Sequence, residues 1–300
     1  MKKVLLTGFL FLVIGIAAGQ GCSDAGACSA GSMDFLQTGQ TTSSKLNVSY
    51  EQTFGLGEKF VLIGQSTVSV RYQLFRNTQL QLRAPFIFTI GNLGSTTGVG
   101  DMIFSVTQAV FSGQKQGMSL LLGTRLKSNN SDFEFNGKPL PMAYQTSLGT
   151  YDILSGIFYY WKKWDFYVAY QHPFNRNKNQ YLHPEEETDN NKLYYESAYL
   201  KRGDDLYIRL QRNFVVKAKN SIKVTLLGIY RMQQDQIIKN GEDIFLAGSS
   251  GMTINLGVAY IQNLKTGKSL EYSLSFPVID RKYRADGLTR NLVLGVSFEL

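Results

Sequence analysis

Residues 150–174 read TYDILSGIFYYWKKWDFYVAYQHPF, and this stretch decides the fold. It contains two segments of about ten residues joined at Lys162. In the second segment four apolar side chains, beginning with Trp164, occupy every other position. That spacing is the period of a β-strand with two different faces, and so short a connection suits antiparallel neighbours. The stretch therefore predicts a hairpin of two long strands.

Aromatic side chains crowd around the two-lysine turn of this hairpin, and both tryptophans of the chain are among them. Aromatic rings with one polar edge are enriched where a membrane meets water. Packing in an ordinary core is the alternative use of such rings. We predict an interfacial aromatic girdle at this turn, made of Tyr159, Tyr160, Trp161 and Trp164.

The same alternation recurs along the chain. At the C-terminus, for example, Leu292, Leu294 and Val296 alternate with smaller or polar residues. About twelve strands are predicted, near residues 45–55, 65–75, 79–91, 100–112, 117–128, 150–161, 163–174, 205–215, 221–232, 252–262, 268–277 and 290–300. Their number is even, which suits a closed antiparallel barrel.

Short and long connections alternate between these strands. Arg76–Thr78 and Lys162 are short, whereas 129–149 and 173–204 are long. This alternation places the short turns at one end and the long loops at the other, as in outer-membrane barrels with periplasmic turns and extracellular loops. A soluble β-sandwich or secreted barrel also alternates, but needs neither sorted loops nor strands of this length. The sequence therefore predicts an all-β, antiparallel transmembrane β-barrel of about 12 strands.

Composition agrees with this fold once position is considered. The chain has 300 residues, 43% of them hydrophobic, and a mean hydropathy of -0.14. A value close to zero results when each strand combines a lipid-facing apolar row with a polar inward row. The single long apolar run lies at the start, which disfavours a helical membrane protein. The net charge of +8 is spread over turns, loops and the lumen, so we predict no nucleic-acid partner.

The first residues have the pattern of an export signal. A basic head, Lys2 and Lys3, precedes the apolar stretch 4–18 and small residues at 17–19. An N-terminal membrane anchor would need about 20 apolar residues. We predict a signal peptide over 1–19, an N-terminal arm over 20–43 that could act as a plug, and the transmembrane barrel over 44–300. Loss of the two lysines lowers the formal charge from +8 to +6.

Cys22 and Cys28 both lie in the predicted arm. In an exported chain two thiols this close most simply form a local disulfide. Cys22 could instead carry a lipid, since Gly21 precedes it, although Gly19 stands where lipoprotein signals normally have an aliphatic residue. A metal site is disfavoured because no second pair of ligands lies nearby.

Charged residues on the inward rows are the candidate site. If the apolar row of each strand faces lipid, the alternate positions place arginines, a lysine and carboxylates in the lumen. The pore-lining candidates are Glu51, Arg71, Arg83, Asp101, Arg125, Asp165, Asp205, Arg209, Lys223, Arg231 and Glu271. These charges could pair across the lumen and close it. They could instead line a narrow polar pore, with the arm and the long loops acting as plug or gate.

The signal peptide, the two-faced strands and the final strand 291–300 together resemble Gram-negative outer-membrane β-barrels. Within that group, the segment Thr97–Asp101 (TGVGD) is similar to a glycine-glycine-aspartate signature of the meta-pathway phenol-degradation type, regarded as channels for small, often hydrophobic compounds. The resemblance implies an outer-membrane location and transport. Leu300 departs from the terminal phenylalanine of many such barrels, and Phe298 could serve in part.

Catalysis and cofactors are not predicted. Of the two histidines, His172 falls on the lipid-facing row near the long-loop end, where twelve-stranded outer-membrane phospholipases place a histidine. Those enzymes have a serine two residues further, whereas here Phe174 occupies that position. His183 lies in a charged loop, for which solvation is favoured over metal binding. We expect no enzyme, no cofactor and no metal.

The sequence thus predicts an exported barrel of the cell outer membrane that is a passive or facilitated channel for small solutes. The alternative is a non-transporting surface barrel whose long extracellular loops, 173–204 above all, bind a ligand or partner. Outer-membrane lipid is the expected partner in either case. Neither the solute nor the oligomeric state follows from the sequence.

Overall fold

The computed structural model describes residues 45–184, 193–217, 220–264, 268–287 and 290–299. These residues form seventeen strands and two short 3-10 helices. The strands are β1 Leu46–Leu56, β2 Leu62–Phe75, β3 Thr78–Gly91, β4 Gly94–Val99, β5 Met102–Ser112, β6 Gln116–Leu126, β7 Glu134–Phe135, β8 Lys138–Pro139, β9 Tyr151–Trp161, β10 Trp164–Phe174, β11 Asp205–Lys217, β12 Asn220–Arg231, β13 Gln236–Lys239, β14 Glu242–Phe245, β15 Gly251–Asn263, β16 Ser269–Ile279 and β17 Leu292–Glu299. The 3-10 helices are Glu58–Phe60 and Met142–Tyr144. No described helix has the length and apolar character needed to cross a membrane.

Twelve of the described strands close into one antiparallel barrel. Their order around it is β1, β2, β3, β5, β6, β9, β10, β11, β12, β15, β16 and β17. The last strand pairs with the first, with Ser49 opposite Glu299 and Leu56 opposite Leu292. Closure matters because a backbone group in hydrocarbon has no water to bond to, so no edge can stay open. The predicted all-β barrel of about 12 strands is confirmed.

The connections are sorted by length. At one end, which we call the turn end, successive barrel strands are joined by two to five residues. At the other, the loop end, four connections are long: 127–150, 175–204, 232–250 and 280–291. The predicted division into short turns and long loops is therefore correct.

The sequence does not predict one strand, β4. The strand predicted over 100–112 matches β5 to within two residues, whereas β4 precedes it, and both pair with β3. A break at Gly100 and Asp101 separates the two strands. Pro85 on β3 faces this break, and because proline has no N–H it cannot donate to the ladder. Gly100 N instead donates to Pro85 O at 2.8 Å. The break shifts the outward-facing row from even-numbered positions on β5 to odd-numbered positions on β4.

Large apolar side chains cover the outer face of the barrel. They are exposed in the isolated chain, as expected for a surface that meets lipid. Examples from six strands are Phe54, Leu82, Leu122, Ile157, Ile208 and Leu294, each between 43% and 60% exposed. The inward positions of the same strands hold the buried residues.

Candidate functional site

The lumen has two chemically different sides. Strands β5, β6, β9, β10, β11 and β12 contribute an apolar and aromatic inner wall, the aromatic side, whose packed residues are Ile103, Ala109, Leu121, Leu154, Phe158, Tyr160, Tyr167, Ala169, Tyr207, Leu227 and Ile229. Strands β15, β16, β17, β1, β2 and β3 form the polar side. Its buried hydroxyl and amide residues are Thr53, Gln65, Thr67, Ser69, Gln81, Thr253 and Asn255.

In the half of the lumen nearer the turns, the turn half, charged residues form ion pairs. Arg71 Nη2 lies 3.3 Å from Glu299 Oε1, and Asn47 bridges the two side chains. Lys223 Nζ lies 2.9 Å from Glu271 Oε2. At mid-depth Arg83 Nη2 lies 3.0 Å from Glu51 Oε2. These side chains point into the lumen, as expected from the alternation of inward and outward positions along each strand.

These three ion pairs run along the wall. The Arg71 pair joins β2 to β17, the Arg83 pair joins β3 to β1, and the Lys223 pair joins β12 to β16. Each therefore spans one intervening strand, or about 10 Å at the usual strand spacing. A pair that closed the lumen would instead join strands on opposite sides of the barrel.

Two further charged residues lie on the aromatic side. The Arg209 guanidinium carbon lies 5.1 Å from the Tyr167 ring centroid and 5.9 Å from that of Phe158. Those two rings stack at 4.0 Å. Asp165 accepts hydrogen bonds from Gln211 at 2.9 Å and from Asn213 at 3.4 Å. A guanidinium over ring faces is attracted by the ring quadrupole, so the two rings stabilise the Arg209 cation inside the lumen.

A cavity of about 200 Å³ occupies the turn half. Four of the predicted pore-lining residues line it: Glu51, Arg209, Lys223 and Glu271. Half of the remaining lining residues have hydroxyl or amide side chains, namely Thr53, Gln211, Thr225, Asn255, Ser273 and Ser275, and the others are apolar residues and a glycine. A volume of this size with this lining suits several water molecules.

The half nearer the loops, the loop half, is occupied by part of the 127–150 connection. Every residue from Leu140 to Thr150 is buried, including the 3-10 helix at Met142. We call this segment the plug. A cavity of about 80 Å³ remains beside the plug, lined by residues such as Arg125 of β6 and Arg290 of the 280–291 loop.

Asp101 holds the plug to the barrel wall. It lies at the break between β4 and β5, where its carboxylate accepts the Leu148 N–H at 2.9 Å and the Ser128 N–H at 3.1 Å. One carboxylate thus bonds both to the plug and to the chain that leads into it. Charged acceptors of this kind form stronger hydrogen bonds than neutral ones.

The 175–204 loop holds the plug from the other side. The Asn179 side chain donates to the carbonyls of Ser131 and Leu140, both at 2.9 Å. The hydroxyls of Tyr144 and Tyr194 lie 3.0 Å apart, and the Tyr144 hydroxyl accepts the Leu93 N–H at 3.1 Å. The described part of this loop therefore folds into the barrel mouth.

A buried charge cluster surrounds Arg231 in the loop half. Its guanidinium donates to Asp205 at 2.6 Å and to Asp286 at 2.8 Å, and it also bonds to Asp235. Arg281 reaches Asp286 at 3.5 Å. On the aromatic side Asp152 pairs with Arg202 and lies 4.0 Å from Arg125. These bonds link wall strands to three different loops, so the charges fix the loops against the wall.

Glu58 connects two loops at the mouth of the barrel. It lies in the β1–β2 connection, and its carboxylate accepts the Tyr195 N–H at 2.9 Å. Burial raises the pKa of Glu58 to about 7, although the Tyr195 N–H and the charges of Lys59 and Arg284 act in the opposite direction. Its protonation therefore changes within the physiological pH range.

The predicted girdle residues fall on two faces. Tyr159, Trp161 and Trp164 lie on the outer face near the turn end. Tyr160 faces inward and is 3% exposed, with its hydroxyl donating to the Gly113 carbonyl, because successive residues of a strand point to opposite sides. It therefore does not belong to the outer row. Cys22, Cys28, the signal segment and the N-terminal arm lie outside the described residues.

The two histidines make local contacts. His172 faces outward at the loop end, as strand parity predicts, and its Nδ1 lies 2.7 Å from Asp204 Oδ1. The Tyr170 hydroxyl donates to the same carboxylate at 2.7 Å. His183 Nε2 lies 2.7 Å from the Tyr194 carbonyl oxygen. Among the described residues, no cluster of three or more histidine, cysteine or acidic side chains is arranged to hold a metal ion.

The sequence analysis allowed the long loops to act as plug or gate but did not identify 140–150 as the segment, and it missed part of the charge cluster. Asp152 could have been found, because Ile153 and Ile157 mark the outward row of β9 and leave Asp152 inward. The plug had one signal, its apolar composition from Leu140 to Tyr144, which is unusual for a solvated loop. Nothing in the sequence pattern of Asp235 or Asp286 points to Arg231.

Solved structures similar to this chain are outer-membrane proteins. An outer membrane channel from Pseudomonas putida F1 has a TM-score of 0.58 at 14% sequence identity, covering 85% of this chain and 93% of the other. The NanC porin has a TM-score of 0.49 at 8% identity, over 84% and 97% of the two chains. The KdgM porin has 0.44 at 7%, with the same coverage.

No known family model matches the sequence. No curated protein matches it either. At 14% identity the Pseudomonas putida channel establishes the shared barrel fold and leaves the role of each residue to be argued from this chain. The similarity of 97–101 to the phenol-degradation type of channel accordingly stays a prediction.

Proposed function

We propose that this chain is a passive or facilitated channel of the bacterial outer membrane for small solutes, gated at the loop end by the plug. A closed barrel of twelve strands with an apolar outer face supports the membrane location. The similar protein from Pseudomonas putida F1 is itself described as an outer membrane channel. Export by the segment 1–19 belongs to this proposal.

The course of the ion pairs carries the proposal. Each pair joins two wall strands that are separated by one other strand, so none of the pairs crosses the lumen. A cavity of about 200 Å³ lies beside them. Charges that served only to fill the barrel would meet across it. A continuous polar side running from β15 to β3 supplies hydrogen-bonding groups along the same path.

The proposed route has a defined lining. Glu51, Arg209, Lys223 and Glu271 border it in the turn half, and Arg71 and Arg83 lie on its polar side. Asp101, Arg125, Asp205 and Arg231 contribute to the wall of the loop half, where Asp101 bonds to the plug and the other three belong to the buried charge clusters. Paired charges of both signs favour weak ion selectivity.

Conductance of the purified chain in planar bilayers tests the proposal. We expect small discrete steps from the wild type. Replacing 141–147 of the plug by a short glycine-serine linker should increase the step size several-fold, because this segment occupies the loop half. The matched control replaces 134–137 in the exposed β7–β8 hairpin and should leave the steps unchanged. Absence of steps in both the wild type and the plug variant would overturn the channel proposal.

The alternative function, partner binding by the long loops, has less support. Most side chains of 177–181 and 194–200 in the longest loop are buried against the plug and are not displayed to solvent. Absence of enzymatic activity is likewise part of the proposal, because Phe174 stands two residues after His172, where the outer-membrane phospholipases have a serine. Equal hydrolysis of test esters by the wild type and His172→Ala would agree with it.

A further inference from the structure

A row of two cations and three aromatic rings crosses the outer face of the barrel at the turn end. Trp161 lies opposite Trp164, and Trp164 lies opposite Arg212 on β11. The Arg212 guanidinium carbon lies 4.6 Å from the Trp164 ring and 5.0 Å from the Phe214 ring. At the other end of the row, Lys162 Nζ lies 4.5 Å from the Trp161 ring. We call these five residues the cation–aromatic row.

Arg212 is unusual because its charge lies on the lipid-facing side. Ile208 and Phe214 share its row and are 50% and 43% exposed. A cation on that face costs free energy near the bilayer midplane and little near the interface. The neighbouring tryptophans and the two-residue turn at 162–163 place Arg212 at the interface, at headgroup depth.

The surroundings of Arg212 leave its charge uncompensated by the protein. Two rings interact with the guanidinium, and no carboxylate among the described residues lies within ion-pair distance of it. Asp165 is the acidic residue nearest to Arg212 in the pairing of β10 with β11. Its side chain faces the lumen and bonds there to Gln211. Rings that cover a guanidinium leave the N–H groups at its edge to meet an acceptor. The Arg212 Nε is buried, so the terminal N–H groups are the ones that can do so.

Further positive charge gathers at the same corner. The turns that carry Lys115 and Lys162 are hydrogen-bonded to each other, from Lys162 N to Lys115 O. Asn213 N donates to the Lys163 carbonyl at 3.2 Å, which ties β11 to the same corner. All three lysines are exposed. Basic residues at a membrane surface attract anionic lipid headgroups.

We propose that the cation–aromatic row binds the phosphate of an anionic phospholipid in the leaflet at the turn end. The Arg212 edge meets the phosphate oxygens, the three rings contact the glycerol and upper acyl region, and the lysines add attraction at longer range. A free phosphate ion would contact the cations and make no contact with the rings. This inference rests on the membrane location in the proposed function and is independent of transport.

The two tryptophans of the chain are both in the row, so their fluorescence reports on this site alone. The full chain is reconstituted in phosphatidylcholine vesicles that contain a small fraction of brominated phosphatidylglycerol or brominated phosphatidylcholine. Bromine quenches tryptophan on contact. We expect about fivefold tighter association of the anionic lipid, the factor typical of one cation near an anionic surface.

Variants decide whether Arg212 is responsible. Arg212→Gln should remove the preference for the anionic lipid, Arg212→Lys should keep part of it, and Arg76→Gln, in the distant β2–β3 turn, should keep all of it. Electrophoretic mobility without heating shows that each barrel is folded. Equal quenching by both lipids in the wild type, or an unchanged preference in folded Arg212→Gln, would overturn the proposal. Loss of the preference on adding inorganic phosphate would identify a simple anion site and overturn the lipid assignment.

Discussion

The two halves of the lumen use the same residue types for different purposes. In the loop half, Arg231, Asp205 and Asp286 have side chains that are 0–2% exposed, and they bond loops to the wall. In the turn half, Lys223 and Glu271 are 22% and 28% exposed and border a cavity. Burial therefore separates charges that fix structure from charges that line a space, and it predicts very different responses to mutation.

The largest effect is expected from Arg231→Met. The substitution leaves Asp205, Asp235 and Asp286 buried without their common partner, which typically costs about 3–5 kcal/mol when a buried ion pair loses one member. Urea unfolding of the protein in lipid vesicles measures the change. The matched variant Lys223→Met in the turn half should cost about 1 kcal/mol or less, because its partner stays hydrated. Equal losses would remove the distinction between the halves.

A second test separates plug packing from backbone strain. Gly287 has φ +65° and approaches the plug so closely that a Cβ would lie 2.4 Å from the Met142 carbonyl carbon. Gly241, in the β13–β14 hairpin, has φ +82° and open space around it. Alanine at either position costs about 1–2 kcal/mol for the left-handed backbone. Gly287→Ala should cost a further 1–3 kcal/mol or so for overpacking, measured by the same unfolding assay.

If the two alanine variants lose equal stability, the plug does not pack tightly against the 280–291 loop. The single-channel steps provide an independent measure. A displaced plug should enlarge them in Gly287→Ala and leave them unchanged in Gly241→Ala, since only Gly287 touches the plug.

The barrel itself could be predicted from the sequence because each strand repeats a two-residue period that hydrocarbon imposes. One face of each strand meets lipid and the other meets the lumen, so side chains at alternate positions must point to opposite sides. The inward direction of Arg71, Lys223 and Glu271 could therefore be predicted. The alternation of short and long connections likewise predicts which end of the barrel carries the turns and which carries the loops. The unpredicted strand β4 ends at a break opposite Pro85, where the ladder is interrupted. Such a break depends on a contact between two strands and leaves no periodic pattern in the sequence.

The plug and the charge cluster could not be predicted because no period governs loops. Arg231 was placed in the lumen, yet two of its partners, Asp235 and Asp286, come from loops whose course depends on tertiary packing. Tyr160 is a different case, because it lies in a strand and its neighbourhood in sequence suggested the outer girdle. Its side alternates with that of Tyr159 and Trp161, and strict application of strand parity would have placed it inside.

A smaller effect is expected from pH at the mouth of the loop half. Because burial raises the pKa of Glu58 from 4.5 to about 7, the packed loops bind its proton more tightly than the unfolded chain does. The stabilisation linked to this proton is complete below about pH 4.5 and is lost as the pH rises through about 7. Hydrogen exchange at the Tyr195 amide, which bonds to Glu58, should therefore accelerate over this range.

Glu58→Gln should flatten that pH dependence, since an amide keeps an acceptor and does not titrate. Glu134→Gln, on the exposed β7 strand, is the control and should retain it. A wild-type exchange rate that shows only the intrinsic dependence of amide exchange on pH would contradict a role for Glu58 in holding the two loops together. The described turns of the turn half are joined by backbone hydrogen bonds such as that from Lys162 N to Lys115 O, which do not titrate, so the effect should be confined to the mouth.

The smallest change in stability and the clearest change in transport are expected together, from Glu271→Gln. The substitution removes one negative charge from the cavity wall and leaves the Lys223 ammonium beside the proposed route. Because that pair is partly hydrated, the loss of stability should stay below about 1 kcal/mol. Reversal potentials in a salt gradient should shift toward anions, whereas Glu242→Gln, on the exposed β14 strand, should leave them unchanged. The contrary result is a loss of unfolding free energy as large as that of Arg231→Met, with no shift in the reversal potential. The turn-half charges would then also be structural, and the two halves would differ only in the exposure of their charges.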